Sequence, residues 1–192
     1  MVHRSSPEGR GRPGSAGPLA VLAAVLALCG LATAAPAQGE GPDTLVETYR
    51  DWVVRCVADA GGRVCEMTQE LRQREGGQRV LALGVRRAPE GEAAEGQLTA
   101  VGPFGVRLAD GLVLVLPSEN AAPGDALARL PFVTCLPDGC VAVLPVEPAL
   151  LEALRAAPSV EAVLTDLGGD SLRVSLSLAG FGAAWDRLGT LR

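Results

Sequence analysis

The sequence predicts a mainly β protein: an antiparallel β-sandwich of the immunoglobulin-like type, with one or two short helices. About eight short segments are rich in β-branched and other apolar residues, and turn sequences with Gly, Pro and Asp separate them every 8 to 15 residues or so. The long helices that connect parallel strands are missing from the pattern, which favours antiparallel pairing. A closed β-barrel is the alternative that the sequence leaves open.

The N-terminal segment is typical of a cleaved secretory signal. Three arginines precede an apolar run over 19–31, which is shorter than the roughly 20 residues that span a bilayer. Ala35-Pro36-Ala37 then supplies an A-x-A cleavage site, although an uncleaved anchor is an alternative. We expect a signal peptide over 1–37, a short lead over 38–48 and one folded domain over 49–192.

The cysteines indicate a disulfide framework. Loss of the signal removes Cys29 and leaves four cysteines, an even number in an exported chain. Three pairings are formally possible, and we expect the local one, Cys56 with Cys65 and Cys135 with Cys140, because each pair closes a short hairpin-like segment. Each bridge would contribute about 2 to 3 kcal/mol through loop closure. The spacing lacks the C-x-x-C pairs of zinc sites, so no metal is expected.

The charged residues argue against several classes of partner. Lysine is absent, and the formal net charge of −5 becomes −7 once the signal, with its three arginines and one glutamate, is removed. An acidic surface without basic clusters disfavours nucleic acids and anionic membranes. The only histidine, His3, leaves with the signal.

The run Leu130–Pro145 predicts a β-hairpin around which we expect the other strands to assemble. Pro137-Asp138-Gly139 supplies the fixed φ and the glycine that a tight turn requires, and apolar segments flank it. Residues 126–134 should lead into this hairpin. Cys135 and Cys140 then face each other across its two strands.

Further elements follow from apolar periodicity. We expect strands over 49–57, 63–69, 80–86, 97–101, 112–116, 160–165 and 172–178, a loop over 118–124, a helix over 147–156 and an amphipathic segment over 181–188. The strand over 112–116 is apolar on both faces, so we expect both faces to be covered. Alternatively, one of its faces is covered by another element of the same domain. In the last strand we expect a core face made of Leu172, Val174, Leu176 and Leu178. In the amphipathic segment we expect a core face made of Phe181, Ala184, Trp185 and Leu188.

Four stretches in a fixed order carry a family resemblance. They are Asp51–Cys56 with Cys65-Glu66-Met67, Leu130–Cys135, Asp138–Ala142, and Ser175–Phe181 with Ala183-Ala184. From about Tyr49 to Leu188 the chain resembles the invasion-associated locus B family of exported bacterial proteins. The resemblance implies a periplasmic or surface-associated β-sandwich, linked in pathogenic members to host-cell invasion, with no known catalytic site. The chain departs from the family at the turn 156–158 and in lacking lysine, which argues against any function that needs a basic patch.

Catalytic and cofactor chemistry are not expected. A serine nucleophile would lack a histidine or lysine base, so Ser175 and Ser177 are interpreted as the solvent face of a strand. The cysteine spacings differ from the C-x-x-C of thiol oxidoreductases, and nothing selects a catalytic pair among the carboxylates. The acidic loop with Glu90, Glu92 and Glu95 lacks the ordered oxygen spacing of a calcium loop.

We therefore expect a non-enzymatic protein that is periplasmic, surface-associated or secreted, without a membrane span after cleavage. It should bind another protein through a sheet edge or the loop at Phe104, because a filled sandwich core leaves edges and loops for recognition. Two alternatives are an envelope thiol-redox factor that uses Cys135 and Cys140, and a small-ligand carrier, which would need an apolar cavity.

Overall fold

The computed structural model describes residues 44–59, 62–117 and 126–191. Two antiparallel sheets and two α-helices make up this part of the chain, and the predicted β-sandwich is confirmed. The predicted signal peptide over 1–37 and the predicted loop over 118–124 lie outside the described residues. Within the described ranges, neither helix has the length and apolarity needed to cross a membrane.

Within the described ranges eleven strands form the two sheets, where about eight were predicted. In chain order they are β1 Thr44–Tyr49, β2 Trp52–Asp59, β3 Gly62–Arg72, β4 Arg79–Arg87, β5 Gly96–Gly102, β6 Leu112–Val115, β7 Ala126–Leu130, β8 Phe132–Leu136, β9 Gly139–Val146, β10 Ser159–Thr165 and β11 Ser171–Ser177. The helices are α1 Pro148–Ala156 and α2 Phe181–Thr190, and a 3-10 turn spans Leu108–Asp110. The larger sheet has the order β1-β2-β3-β4-β5-β9-β8 and the smaller β11-β10-β6-β7.

The prediction of one first strand over 49–57 is wrong, because the chain reverses in the middle of that segment. β1 ends at Tyr49, β2 begins at Trp52, and these two residues face each other in the antiparallel register. Arg50 takes a left-handed φ of 55° to make the turn. Arg50-Asp51 lacks the glycine typical of such turns, so no residue in this segment indicates a reversal of the chain. Residues 44–48 of the expected lead thereby form most of β1.

The stapled hairpin forms as predicted but lies at an edge of the larger sheet, so the expectation that the other strands assemble around it is wrong. β8 and β9 pair with Cys135 opposite Cys140 and Leu136 opposite Gly139. The segment over 126–134 is divided between two strands, because β7 belongs to the smaller sheet and β8 to the larger. Pro131 separates them, and proline has no N–H to donate to a ladder.

One apolar core fills the space between the sheets and beneath α2. Trp52 and Phe181 are both buried and meet edge to face, with ring centroids 5.1 Å apart and planes at 83°. The indole Nε1 of Trp52 donates to the Ser177 carbonyl at 3.1 Å, so its polar atom is satisfied. The predicted apolar face of α2 is confirmed, because its four members are buried: Phe181, Ala184, Trp185 and Leu188.

The smaller sheet covers the core with one face and presents the other outward. Leu176 and Leu178 are buried as predicted, but Leu172, expected on the core face, is 42% exposed at the start of β11. In β6, Leu112 and Leu114 are fully buried whereas Val113 is half-buried on the outer face. The expectation that both faces of the segment over 112–116 are covered is therefore met only in part.

Candidate binding surfaces

The four edge strands of the two sheets differ in how they are protected. β1 carries Glu47, β7 carries Arg129 and β11 carries Arg173, and a charge on an edge strand discourages pairing with a foreign strand. β8, with the sequence Phe-Val-Thr-Cys-Leu, has no charged residue and no proline. Among the described edge strands β8 alone therefore lacks the protection of a charge, although its register with β9 shifts between Phe132 and Thr134.

The side chains of β8 are open to solvent. Its last four residues are exposed, and Val133 and Leu136 are 61% and 54% exposed. Within the described ranges β8 pairs with β9 alone, so one side of its backbone is available. Phe132 is half-buried against the core and holds the start of the strand in place.

Covalent and polar contacts fix the hairpin that ends β8. Cys135 and Cys140 are joined by a disulfide, and a second disulfide joins Cys56 to Cys65 in β2 and β3, so both locally paired bridges are present. The guanidinium of Arg79 donates to the carbonyl oxygen of Asp138 at the tip of the turn. β8 is consequently an exposed strand on a rigid support.

The loop at Phe104 lies beside the same turn. Phe104 is 61% exposed, and it lines an open cavity of about 450 Å³ together with Pro137 and Asp138. The neighbouring turn of the smaller sheet is attached by a backbone hydrogen bond from Leu167 N to Gly105 O at 3.2 Å. We call β8, the turn at Pro137-Asp138 and Phe104 together the β8 surface.

A salt bridge ties α2 to the opposite edge of the larger sheet. The guanidinium of Arg187 donates from Nε and Nη2 to the two carboxylate oxygens of Glu47, each at 2.7 Å, and the Tyr49 hydroxyl donates to the same carboxylate at 2.9 Å. Hydrogen bonding by Arg187 lowers the pKa of Glu47, while burial raises the pKa of Tyr49. This edge is thereby engaged by side chains of its own domain.

The side chains that might support chemistry are dispersed. Ser177 Oγ accepts the Ala179 N–H at 3.1 Å, and Ser175 is exposed on β11 without a base beside it among the described residues. The described part of the chain contains no group of three or more His, Cys, Asp or Glu side chains arranged to hold a metal ion. The geometry of these residues therefore offers surfaces for recognition.

Sequence reasoning named a sheet edge and the Phe104 loop but did not identify which strand is the edge. That assignment needs the strand order, which depends on pairings between segments far apart in sequence. Sequence reasoning also missed the salt bridge between Glu47 and Arg187, which lie 140 residues apart in the chain. It gave no indication of the outer groove on the smaller sheet. The absence of charge in Phe132–Leu136 was the available signal for an unprotected edge.

Comparison with known proteins gives consistent results. The family model described as invasion associated locus B (IalB) protein matches residues 52–189. An invasion protein B homolog of Brucella abortus strain 2308 is 36% identical over 166 residues, which cover 86% of this chain and 91% of that protein. A homolog from Brucella abortus biovar 1 strain 9-941 gives the same values. The crystal structure of invasion associated protein B from Bartonella henselae aligns with a TM-score of 0.63 and 25% identity, covering 77% of this chain and 96% of that one.

Proposed function

Because the chain belongs to the invasion-associated locus B family, we propose that it is an exported, non-enzymatic protein of the bacterial envelope that binds another protein through the β8 surface. The observation that carries the proposal is the open edge of β8, which combines exposed apolar side chains with the absence of any charge. The predicted signal peptide over 1–37 supports export to the periplasm, the cell surface or the medium.

The mode of binding follows from the chemistry of an open strand. An extended segment of the partner would pair with β8 and extend the seven-stranded sheet by one strand, with main-chain hydrogen bonds supplying affinity. Val133, which lies where the register of β8 shifts, and Leu136 near the turn would each contact an apolar side chain of that segment. Phe104 would add an aromatic contact at the end of the strand, and aromatic side chains are enriched in protein interfaces.

The rigidity of the hairpin supports the same mode. A strand that is already fixed in an extended conformation loses little conformational entropy when a partner adds to it. The disulfide between Cys135 and Cys140 and the contact of Arg79 with the turn both restrict β8 before binding. The occupant that fits is therefore an extended, uncharged and apolar segment of a partner protein.

The experiment compares two lysine substitutions at exposed valines. Val133→Lys places a charge on β8, and Val46→Lys makes the same change on β1, where the valine is 50% exposed. Purified wild-type chain is used to capture crosslinked proteins from envelope extract, and the recovered partner is then titrated against both variants. We expect Val133→Lys to weaken binding at least tenfold, a change of about 1.4 kcal/mol, and Val46→Lys to leave it near wild type.

Two results would count against the proposal. Recovery of no partner above background under crosslinking would remove the evidence for protein binding. Equal effects of the two lysine variants would show that β8 is not the surface engaged. Circular dichroism of both variants checks that the fold is retained.

A further inference from the structure

The outer face of the smaller sheet carries a groove between two arginines. Residues Arg129, Val113, Val163 and Arg173 occupy directly opposing positions on β7, β6, β10 and β11, so their side chains share one face in a single row across the sheet. The groove around this row encloses about 420 Å³, which is within the usual range of small-molecule sites.

The floor of the groove is apolar. Val113 and Val163 are half-buried and line it side by side, with Val115 next to them along β6. Adjacent strands lie about 4.8 Å apart, so the two arginine Cα atoms at the ends of the row are separated by roughly 14 Å. An aliphatic body of several carbons fits that span and would remove the valine surface from water.

The two arginines are not equivalent. Arg173 donates from Nη1 to the Glu161 carboxylate at 3.0 Å, so its charge is largely matched. Arg129 donates from Nη1 to the backbone oxygen of Asp110 at 3.1 Å, and within the described ranges no carboxylate lies within ion-pair distance of it. Its remaining N–H donors are available to a planar anion, which a guanidinium can bind through two parallel hydrogen bonds.

The nearby acids limit the charge of a ligand. Asp110 lines the groove at the end where Arg129 lies, and Glu161 lies beside Arg173. A second negative charge on the ligand would be repelled at either end. The site therefore fits a single anionic head near Arg129 and an uncharged aliphatic tail over the valines.

We propose that this groove binds a small amphiphilic monocarboxylate, with its head on Arg129 and its tail on Val113 and Val163. The groove lies on the smaller sheet and the β8 surface belongs to the larger one. The inference therefore goes beyond the proposed protein binding and does not depend on it.

The test titrates the purified full chain, with valine methyl groups isotopically labelled, against octanoate, butanoate, octyl phosphate and octyl glucoside. We expect octanoate to shift the methyl signals of Val113 and Val163. It should bind more than tenfold tighter than butanoate, because each of its four additional methylenes should raise the affinity about twofold or more. Octyl glucoside, which has the tail without the charge, should bind at least tenfold more weakly than octanoate. Octyl phosphate should also bind more weakly, because its head carries more negative charge.

Three variants locate the interaction. Arg129→Gln should weaken octanoate binding about tenfold. Arg74→Gln removes the same charge from an exposed loop residue outside the groove and should have no effect. Val163→Thr keeps the shape and all charges but makes the floor polar, and it should reduce the advantage of octanoate over butanoate.

Any of four results would overturn the inference. These are no shift of the two valine signals with octanoate, equal binding of octanoate and octyl glucoside, tighter binding of octyl phosphate, and equal effects of Arg129→Gln and Arg74→Gln. The amide spectrum of each variant confirms that the protein is folded, so a loss of binding is not confused with a loss of structure.

Discussion

Removal of the disulfides separates a structural role of the cysteines from a redox role. In the double variant Cys135→Ala with Cys140→Ala, the bridge that closes a sequence separation of 5 is lost. Loop-closure entropy for a loop of that size is about 2 kcal/mol at 25 °C, and this is the expected loss in the free energy of unfolding. Cys135 is exposed on the edge strand, but Cys140 is buried, so truncation of Cys140 adds roughly 1 kcal/mol of lost packing.

The second bridge provides the comparison. The Cys56–Cys65 bridge closes a longer sequence separation of 9, so the loop-closure contribution is somewhat larger, at about 2.6 kcal/mol. Cys56 is also buried in the core, so its replacement by alanine removes packed sulfur and adds roughly 1 kcal/mol. Loss of the Cys56–Cys65 bridge should therefore destabilise the domain more than loss of the Cys135–Cys140 bridge.

Urea unfolding followed by tryptophan fluorescence measures both losses, because Trp52 and Trp185 are buried in the folded state. The free energy of unfolding is obtained by linear extrapolation, with the slope compared between variants because a bridge also restricts the unfolded chain. Unchanged stability of the Cys135 and Cys140 variant, together with loss of a thiol-exchange activity present in the wild type, would refute the structural role and favour a redox factor.

Two further predictions concern α2 and its salt bridge. Gly180→Ala should lower the free energy of unfolding by at least about 2 kcal/mol, because φ is +90° at Gly180 and a Cβ there would meet the Tyr49 carbonyl. Gly182→Ala, inside the helix, should raise the free energy of unfolding by about 0.5 kcal/mol. Thermal unfolding that ranks the two variants in the opposite order would contradict this. Arg187 holds the pKa of Glu47 below its ordinary value of 4.5, so the stabilisation is complete above that value and is lost as the pH falls through the lower folded pKa. In Glu47→Gln the free energy of unfolding should therefore fall less steeply at acid pH than in the wild type. An equally steep fall would show that the salt bridge between Glu47 and Arg187 does not cause this pH dependence.

Local patterns predicted the elements that depend on neighbouring residues. The β10–β11 hairpin and α1 were found from alternation, glycines and Pro148, and the buried face of α2 was found from helical spacing. These features are encoded within short segments, where side-chain periodicity and turn chemistry act directly.

Features that depend on long-range pairing were not predictable. The change of sheet at Pro131 follows from how the two sheets pack against each other. The turn at Arg50 is local, but it contains no glycine that would indicate it. The outer groove brings together residues from four strands, so no single segment carries a signal for it. The sequence could name a sheet edge as a candidate binding surface, but the strand order is needed to show that β8 is such an edge.

Protein binding through β8 can be tested by placing a photo-crosslinking residue at Thr134, which is exposed on β8, in the protein as it is made in its own bacterium. The same residue at Val57, which is exposed on the inner strand β2 of the larger sheet, is the control. We expect a discrete adduct with one partner protein from position 134 and none from position 57. No adduct from position 134, or the same adduct from both positions, would contradict it.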